Sequence, residues 1–341
     1  TRAGAEISES LAACTIILAV KEIPEDFFSE GKVYAFFSHT IKGQEYNMPM
    51  LRRMMDLKCT LIDYEKIMDQ KGRRLVFFGI QAGQAGMIET LCALGRRLRS
   101  EGESNPFEDI RQAYQYASLI DAKESIKAVG WKIHTQGIPA SCAPMIFGFA
   151  GYGRVSQGAQ EIFDLLPFES IDPADLKGFM ETTNAFSRTK VYKVVFEERH
   201  MVEPKGGSAF DLNEYYTNPE RYRSVFSEYL SQLSVLVNAI YWAPQYPRFV
   251  SREDLKNLFE AADQPRLKVI GDITCDIDGS LASTLAATEP DDPTYVYDPI
   301  THSHTMGVDG RGVVVMAIDN LPCEIALESS IAFSNALKSF I

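Results

Sequence analysis

Two apolar runs near the start of the chain end in titratable side chains: TIILAV is followed by Lys21-Glu22, and VYAFF by Ser38-His39. If these runs are neighbouring parallel strands, Lys21 and His39 leave side by side at the carboxyl edge, where α/β sheets bind ligands. A lysine and a histidine repel one another when both are charged. Both are then expected to titrate nearer neutrality, the tuning a general acid–base pair needs. Lys42 follows shortly after His39, and Gly72-Arg73-Arg74 opens a further apolar run, Leu75–Phe78. Lys42, Arg73 and Arg74 together would suit a carboxylate-bearing substrate, because guanidinium groups grip carboxylates in bidentate fashion.

A second pattern lies in APMIFGFAGYGRVSQGAQEIFDLL. The apolar run Met145–Ala150 enters Gly151-Tyr152-Gly153 and then a helical pattern, the context in which a dinucleotide fingerprint has meaning. Gly151 allows the tight turn, and Gly153 lets the backbone approach a pyrophosphate. The helix N-terminus offers free N–H groups, and Arg154 adds a cation beside them. Ser156 replaces the third glycine, and Gly158-Ala159 supplies small residues for close helix–strand packing. The next strand-like run, Phe168–Ile171, ends at Asp172, where an acid accepts a ribose 2′-hydroxyl and repels a 2′-phosphate. On these mechanics NAD is favoured over NADP; a glycine turn without ligand is the alternative. Asp272 and Asp319 end later apolar runs and are candidate neighbours of the nicotinamide. His302-Ser303-His304 lacks a supporting acid cluster, so no metal is expected.

The elements that must position these residues are short apolar runs alternating with amphipathic stretches, which predicts parallel sheets covered by helices. Strands are predicted over Thr15–Val20, Val33–Phe37, Cys59–Ile62, Leu75–Phe78, Met145–Ala150, Val191–Phe196, Leu233–Ile240, Leu267–Ile273 and Val313–Ile318. Helices are predicted over Met48–Leu57, Gly86–Ser100, Gln157–Leu166 and Asn218–Ser234. The 341 residues suffice for about two domains, and a division is visible near Phe78-Gly79. Apolar residues at 45% and charged residues at 23% exclude disorder. A formal charge of −12 argues against nucleic acid or anionic membrane as partner, though not against a locally basic pocket. The longest apolar run, Leu11–Val20, is too short to span a bilayer. Six scattered cysteines without CxxC spacing read as reduced thiols of an intracellular protein, cytoplasmic or mitochondrial. Thr1-Arg2-Ala3-Gly4 is neither a start methionine nor a signal peptide, so the chain is expected to begin inside a larger polypeptide.

Several stretches resemble the lysine–ketoglutarate reductase domain of bifunctional α-aminoadipic semialdehyde synthase. They include AVKEIPE (Ala19–Glu25), FFSHTIKGQEYNM (Phe36–Met48), LIDYEKIMDQKGRRLVFFG (Leu61–Gly79), AGMIETLCALGRRL (Ala85–Leu98) and FGFAGYGRVSQGAQEIFDLLP (Phe147–Pro167). NPERY, NAIYW, GDITCDIDGS and IDNLPCEIALESS continue the likeness in order to Ser330. More distantly the chain is similar to lysine-forming saccharopine dehydrogenase and alanine dehydrogenase.

The resemblance implies an α/β protein of two Rossmann-like domains with parallel sheets and a cleft between them. A substrate domain over 1–79 and 321–341 would flank an NAD(P)-binding domain over 80–320. It implies reductive condensation of lysine with 2-oxoglutarate to saccharopine, usually with NADPH, NAD(H) being possible. Lys21 and His39 match the family's acid–base pair, and Lys42 and Arg74 its basic substrate-binding positions. Gly151, Gly153 and Gly158 match its cofactor loop, and Asp319 an acid near the nicotinamide. Family members begin with a further strand–helix segment carrying a substrate-binding arginine, for which nothing upstream of Thr1 corresponds. If that segment is truly absent, the front domain is expected to lack a strand. A fused saccharopine-cleaving domain and homo-oligomerisation are compatible with this reading. NAD-dependent saccharopine dehydrogenase and a catalytically silent NAD(P)-binding domain are the competing readings.

Overall fold

The computed structural model describes residues 4–41, 43, 45–182, 186–262 and 264–341. The chain divides into two compact units, Thr1–Phe77 with Ala332–Ile341, and Phe78–Ile331.

Among the described residues the first unit has one three-stranded parallel sheet, β1 (Ile16–Leu18), β2 (Val33–Phe36) and β3 (Thr60–Asp63), in that order. Helix α1 (Met48–Asp56) buries Met50 and Met54. Aromatic rings close the core: Phe28 stands edge-on to Tyr34 at 4.8 Å, and Tyr64 meets Phe333 of the C-terminal helix at 5.4 Å. The predicted strand Leu75–Phe78 does not form. Gly72, in the left-handed region, turns the chain so that Arg74 bridges Met68, and Val76 is fully buried without joining a sheet.

The second unit is built on eight strands: β4 (Ile146–Ala150), β5 (Phe168–Ser170), β6 (Val191–Phe196), β9 (Val235–Asn238), β10 (Val269–Asp272), β11 (Thr294–Asp298), β12 (Ser303–Met306) and β13 (Val313–Met316). Their spatial order is β12-β11-β13-β10-β9-β4-β6-β5. The six from β13 to β5 are mutually parallel, whereas β11 runs antiparallel to both its neighbours, β13 and the edge strand β12. Continuous apolar runs suit these strands because both faces are covered. Phe147 and Phe149 enter one core with Val235, Val237 and Val314, while Ile146, Leu236 and Val315 enter the other. A separate two-stranded ribbon pairs β7 (Val202–Pro204) with β8 (Tyr222–Ser224). It occupies part of the predicted helix Asn218–Ser234: Pro219–Arg221 is a single 3-10 turn, Tyr222 is buried in a strand, and only Ser227–Leu230 is α-helical.

Helix α2 (Gly79–Ser100) starts before the predicted Gly86 and takes in the small residues of QAGQAG. Helices α3 (Leu119–Gln136) and α4 (Arg154–Phe163) pack on the same face of the sheet. A Cβ on Gly83 would stand 1.9 Å from the Val155 carbonyl oxygen, and one on Gly158 2.1 Å from that of Ile80. Backbone contact between α2 and α4 thus outweighs the low helix propensity of glycine. Gly158 serves this helix–helix contact instead of the expected helix–strand packing.

Glu89 of α2 is buried beside Glu324 of the turn Leu321–Ile325; their carboxylates accept the adjacent backbone N–H groups of Ala113 (2.5 Å) and Tyr114 (3.1 Å). Burial first, and then the Glu324 charge, push the Glu89 carboxyl from an ordinary 4.5 up to about 8.

Two outcomes follow from this packing. Gly158→Val should destabilise the second unit by about 1–3 kcal/mol or more, since overpacking here meets backbone; thermal unfolding followed by circular dichroism reads it. For Glu89 the folded value lies above the unfolded one, so the folded state binds the extra proton. The resulting stabilisation is complete below the unfolded value and is lost as pH rises through the folded one. Urea midpoints should therefore fall between about pH 5 and pH 9, and Glu89→Gln should flatten that fall.

Candidate functional site

The glycine turn leaves the carboxyl end of β4. Gly151 has φ +90°, and a Cβ there would press on Ala239 carbonyl oxygen at 3.1 Å. Gly153 precedes the first turn of α4, and a Cβ on it would meet nothing within 4 Å. A ligand can therefore reach the N–H groups of α4 across Gly153, and a side chain there would fill that approach. Arg154 is exposed at the start of the helix. A cavity of about 300 Å³ adjoins the turn, lined by Gly151, Gly153, Glu198, Met201, Tyr216 and Tyr246 among others. These features fit a dinucleotide pyrophosphate and its adenosine.

Asp172 does not line this cavity. It follows β5, an edge strand that pairs with β6 and not with β4, and its carboxylate accepts the Ala174 N–H at 2.9 Å. The strand beside β4 is β6, and the acids that follow it are Glu197 and Glu198. Glu198 accepts the Tyr216 hydroxyl at 2.6 Å. Burial, followed by that bond, pushes the Tyr216 phenol upward, so it remains a donor.

At the ends of β9 and β10, Asp272 is almost fully buried and accepts from Asn238 Nδ2 at 2.8 Å, Thr274 Oγ1 at 2.7 Å and Thr284 Oγ1. These bonds tie the two strand ends together. Asp319, just beyond β13, is exposed. His302 shares a hydrogen bond with Tyr297, and no group of three or more metal-ligating side chains occurs among the described residues.

In the first unit β1 and β2 are parallel neighbours, and Phe37 N–H donates to Val20 O at 3.0 Å just past them. Lys21 and His39 therefore leave at one edge, as expected. Between them stands Glu22, which the sequence reading passed over: its Oε1 lies 2.6 Å from His39 Nδ1. Burial works against its charge. Its own backbone N–H, the His39 ring and Lys21 outweigh that effect and hold the Glu22 carboxyl below its usual value. His39 has φ +50°, an uncommon conformation for a non-glycine residue and one that marks functional sites when the surroundings enforce it.

The polar edge continues from there. Ser38 donates to Asp63 at 2.5 Å, the other Asp63 oxygen accepts Glu65 N–H at 2.9 Å, and Glu65 pairs with Arg74 at 3.0 Å. Arg74 thus joins the same edge as His39, whereas Arg73 is exposed and bonded to Asp69 of its own turn at 2.7 Å. Lys42 lies outside the described residues. Glu22 and Glu198 each directly follow or nearly follow a strand, the one signal that could have found them.

Residues 1–85 match the family model "Alanine dehydrogenase/PNT, N-terminal domain". Over 99% of its length the chain is 40% identical to α-aminoadipic semialdehyde synthase of Arabidopsis thaliana, and over 100% it is 35% identical to the mitochondrial protein of that name from Rattus norvegicus. It spans about a third of each, 32% and 38%. Saccharopine dehydrogenase [NAD(+), L-lysine-forming] of Emericella nidulans is 28% identical over 94% of this chain and 72% of its own. Among solved structures, an L-alanine dehydrogenase superposes with TM-score 0.56 at 15% identity, covering 99% of this chain and 74% of that one. The shared fold is mixed α/β with parallel and mixed sheets.

Gly153→Val should abolish nicotinamide dinucleotide binding while leaving the fold intact, because its side chain would enter open space on the ligand's path. Calorimetric titration and circular dichroism of the variant check both halves; unchanged affinity refutes the cradle.

Proposed function

We propose that the chain, which is similar to α-aminoadipic semialdehyde synthases over nearly its full length, is an NAD(P)-dependent oxidoreductase that condenses L-lysine with 2-oxoglutarate to saccharopine. The observation that carries this reading is the Glu22–His39 contact at the carboxyl edge of the first unit, on a backbone held in a left-handed turn. In this reading the second unit binds the dinucleotide at Gly151 and Gly153, and the first unit moves protons.

The lysine ε-amine adds to the ketone of 2-oxoglutarate and loses a proton, giving a carbinolamine. The hydroxyl then leaves as water, which requires a proton to be returned, and an imine forms. A reduced nicotinamide, when bound, supplies the hydride that converts this imine to the secondary amine. His39 and Lys21 are the groups that take and return the protons. Glu22 holds the imidazole through Nδ1, which orients Nε2 toward the reactants and steadies the ring when it is protonated. Arg74 and Lys42 are assigned to the three carboxylates of the joined substrates. The same constellation run in reverse releases lysine from saccharopine, the reaction in the name of the Emericella nidulans relative; the acid Glu198 beside the glycine turn favours an NAD-type cofactor for either direction. A fused saccharopine-cleaving domain is part of this proposal for the parent protein.

The test is oxidation of a reduced dinucleotide that requires lysine and 2-oxoglutarate together; turnover with either one omitted, or none with both present, overturns the reading. His39→Gln and Lys21→Met should each lower kcat by about 10²–10⁴-fold, the worth of a positioned acid or base, with KM little changed. Their double variant should lose less than the product of the single losses. Glu22→Gln should lower kcat less than His39→Gln does, and near-normal turnover in His39→Gln and Lys21→Met would return both residues to a structural role.

A further inference from the structure

We propose that a cavity at the amino-terminal edge of the second unit's sheet binds a free α-amino acid with an apolar side chain. The cavity measures about 430 Å³, within the range of small-molecule sites. Leu267 and Lys268 line it just before β10, and Asp309 and Arg311 just before β13. The glycine turn follows the carboxyl end of β4, which is parallel to both strands within the sheet. The length of the sheet thus separates the cavity from that turn, and the site is independent of the reaction proposed above.

The charges at its base hold one another and a loop. Arg97, near the end of α2, is 7% exposed and donates to Glu101 at 2.8 Å, while Lys268 meets the same carboxylate at 2.9 Å. Arg97 Nη1 also donates to Val308 O at 2.7 Å and Gly310 O at 2.9 Å, and Nη2 to Gly312 O at 3.1 Å. Gly312 has φ +137°, and a Cβ on it would stand 2.2 Å from Tyr297 O. The loop that carries Asp309 and Arg311 is therefore fixed before a ligand arrives, which lowers the cost of binding.

Asp309 and Arg311 are the charges without a counter-charge. Both are exposed on the lining of the cavity. Among the described residues the Asp309 carboxylate has no hydrogen bond or ion pair, and the Arg311 guanidinium makes only a 3.4 Å bond to Phe259 O. One unpaired anion and one unpaired cation, two residues apart, match the ammonium and carboxylate of a zwitterion. Asp309 would accept from the ammonium and Arg311 grip the carboxylate; a ligand of single charge leaves one of them unmatched. Phe259, Pro265 and Leu267 add apolar surface for the side chain. A cationic side chain would face Arg97 and Lys268 there, and an anionic one Glu101 and the negative end of α2.

The experiment is calorimetric titration of L-leucine, L-leucinamide, N-acetyl-L-leucine and L-arginine into the intact protein, Asp309→Asn, Arg311→Gln and His39→Gln. The unaltered protein should bind leucine at least about tenfold more tightly than the other three, the worth of one charge-assisted hydrogen bond. Leucinamide lacks the carboxylate and N-acetyl-leucine the ammonium, while arginine sets a second cation against Arg97 and Lys268. Asp309→Asn and Arg311→Gln should each weaken leucine at least about tenfold, with the thermal midpoint of the free protein unchanged because both side chains are exposed. His39→Gln, in the first unit, should leave leucine affinity as it was. Absence of leucine binding, equal affinity for leucinamide, or full affinity in Asp309→Asn and Arg311→Gln overturns the assignment. Loss of leucine binding in His39→Gln places the amino acid at the first unit's polar edge and overturns it as well.

Discussion

Two helix backbones touch in the second unit, and the placing of the glycine turn after β4 depends on that contact. At Gly83 and Gly158 there is no room for a Cβ, so α2 and α4 approach until carbonyl oxygens lie where side chains would stand. Helix α4 is thereby fixed against the sheet directly behind β4, and its N-terminus is presented just past Gly153. A looser crossing would shift that N-terminus relative to Gly151, whose left-handed backbone is itself pressed against Ala239. The turn is open at Gly153 and closed against Ala239 at Gly151, the shape that the proposed anion site requires.

The first unit uses a different device for the same purpose. Its three parallel strands end together, and the polar groups just past them are bonded in a chain: Glu22 to His39, and Ser38 through Asp63 and Glu65 to Arg74. Each carboxylate in that chain either orients a neighbour or balances a cation. His39 is held by its ring nitrogen and by a strained backbone, which fixes the direction in which its other nitrogen points. Lys21 acts on this arrangement through charge, helping keep Glu22 ionised.

Much of this was legible in the linear sequence, for definite reasons. Runs such as MIFGFA and VVVMAI announce strands covered on both faces, and strand–GYG–helix announces the turn. The expectation that Lys21 and His39 leave one edge rested on two such runs being parallel neighbours, as they are. What the sequence could not show was lateral order. Asp172 stands at a fitting chain distance from Gly153, but the strand it follows lies one place too far out, and the strand beside β4 comes later in the chain. Tertiary contacts also overrode local signals. Backbone contact with α4 accompanies the helix over QAGQAG, while RRLVFF makes only a bridge from Arg74 to Met68 in place of the expected strand. Glu22 escaped notice because its role is a contact with a residue from another strand.

The bond made to the lysine ε-nitrogen distinguishes the proposed condensation from every other use of a reduced dinucleotide. The most direct measurement is product analysis by mass spectrometry after the protein is incubated with 2-oxoglutarate, a reduced dinucleotide and lysine bearing heavy nitrogen at the ε position. Saccharopine retaining the heavy nitrogen as its bridging secondary amine is the predicted result. Heavy nitrogen released as ammonia, or a reduced dinucleotide consumed with no joined product, would contradict the account.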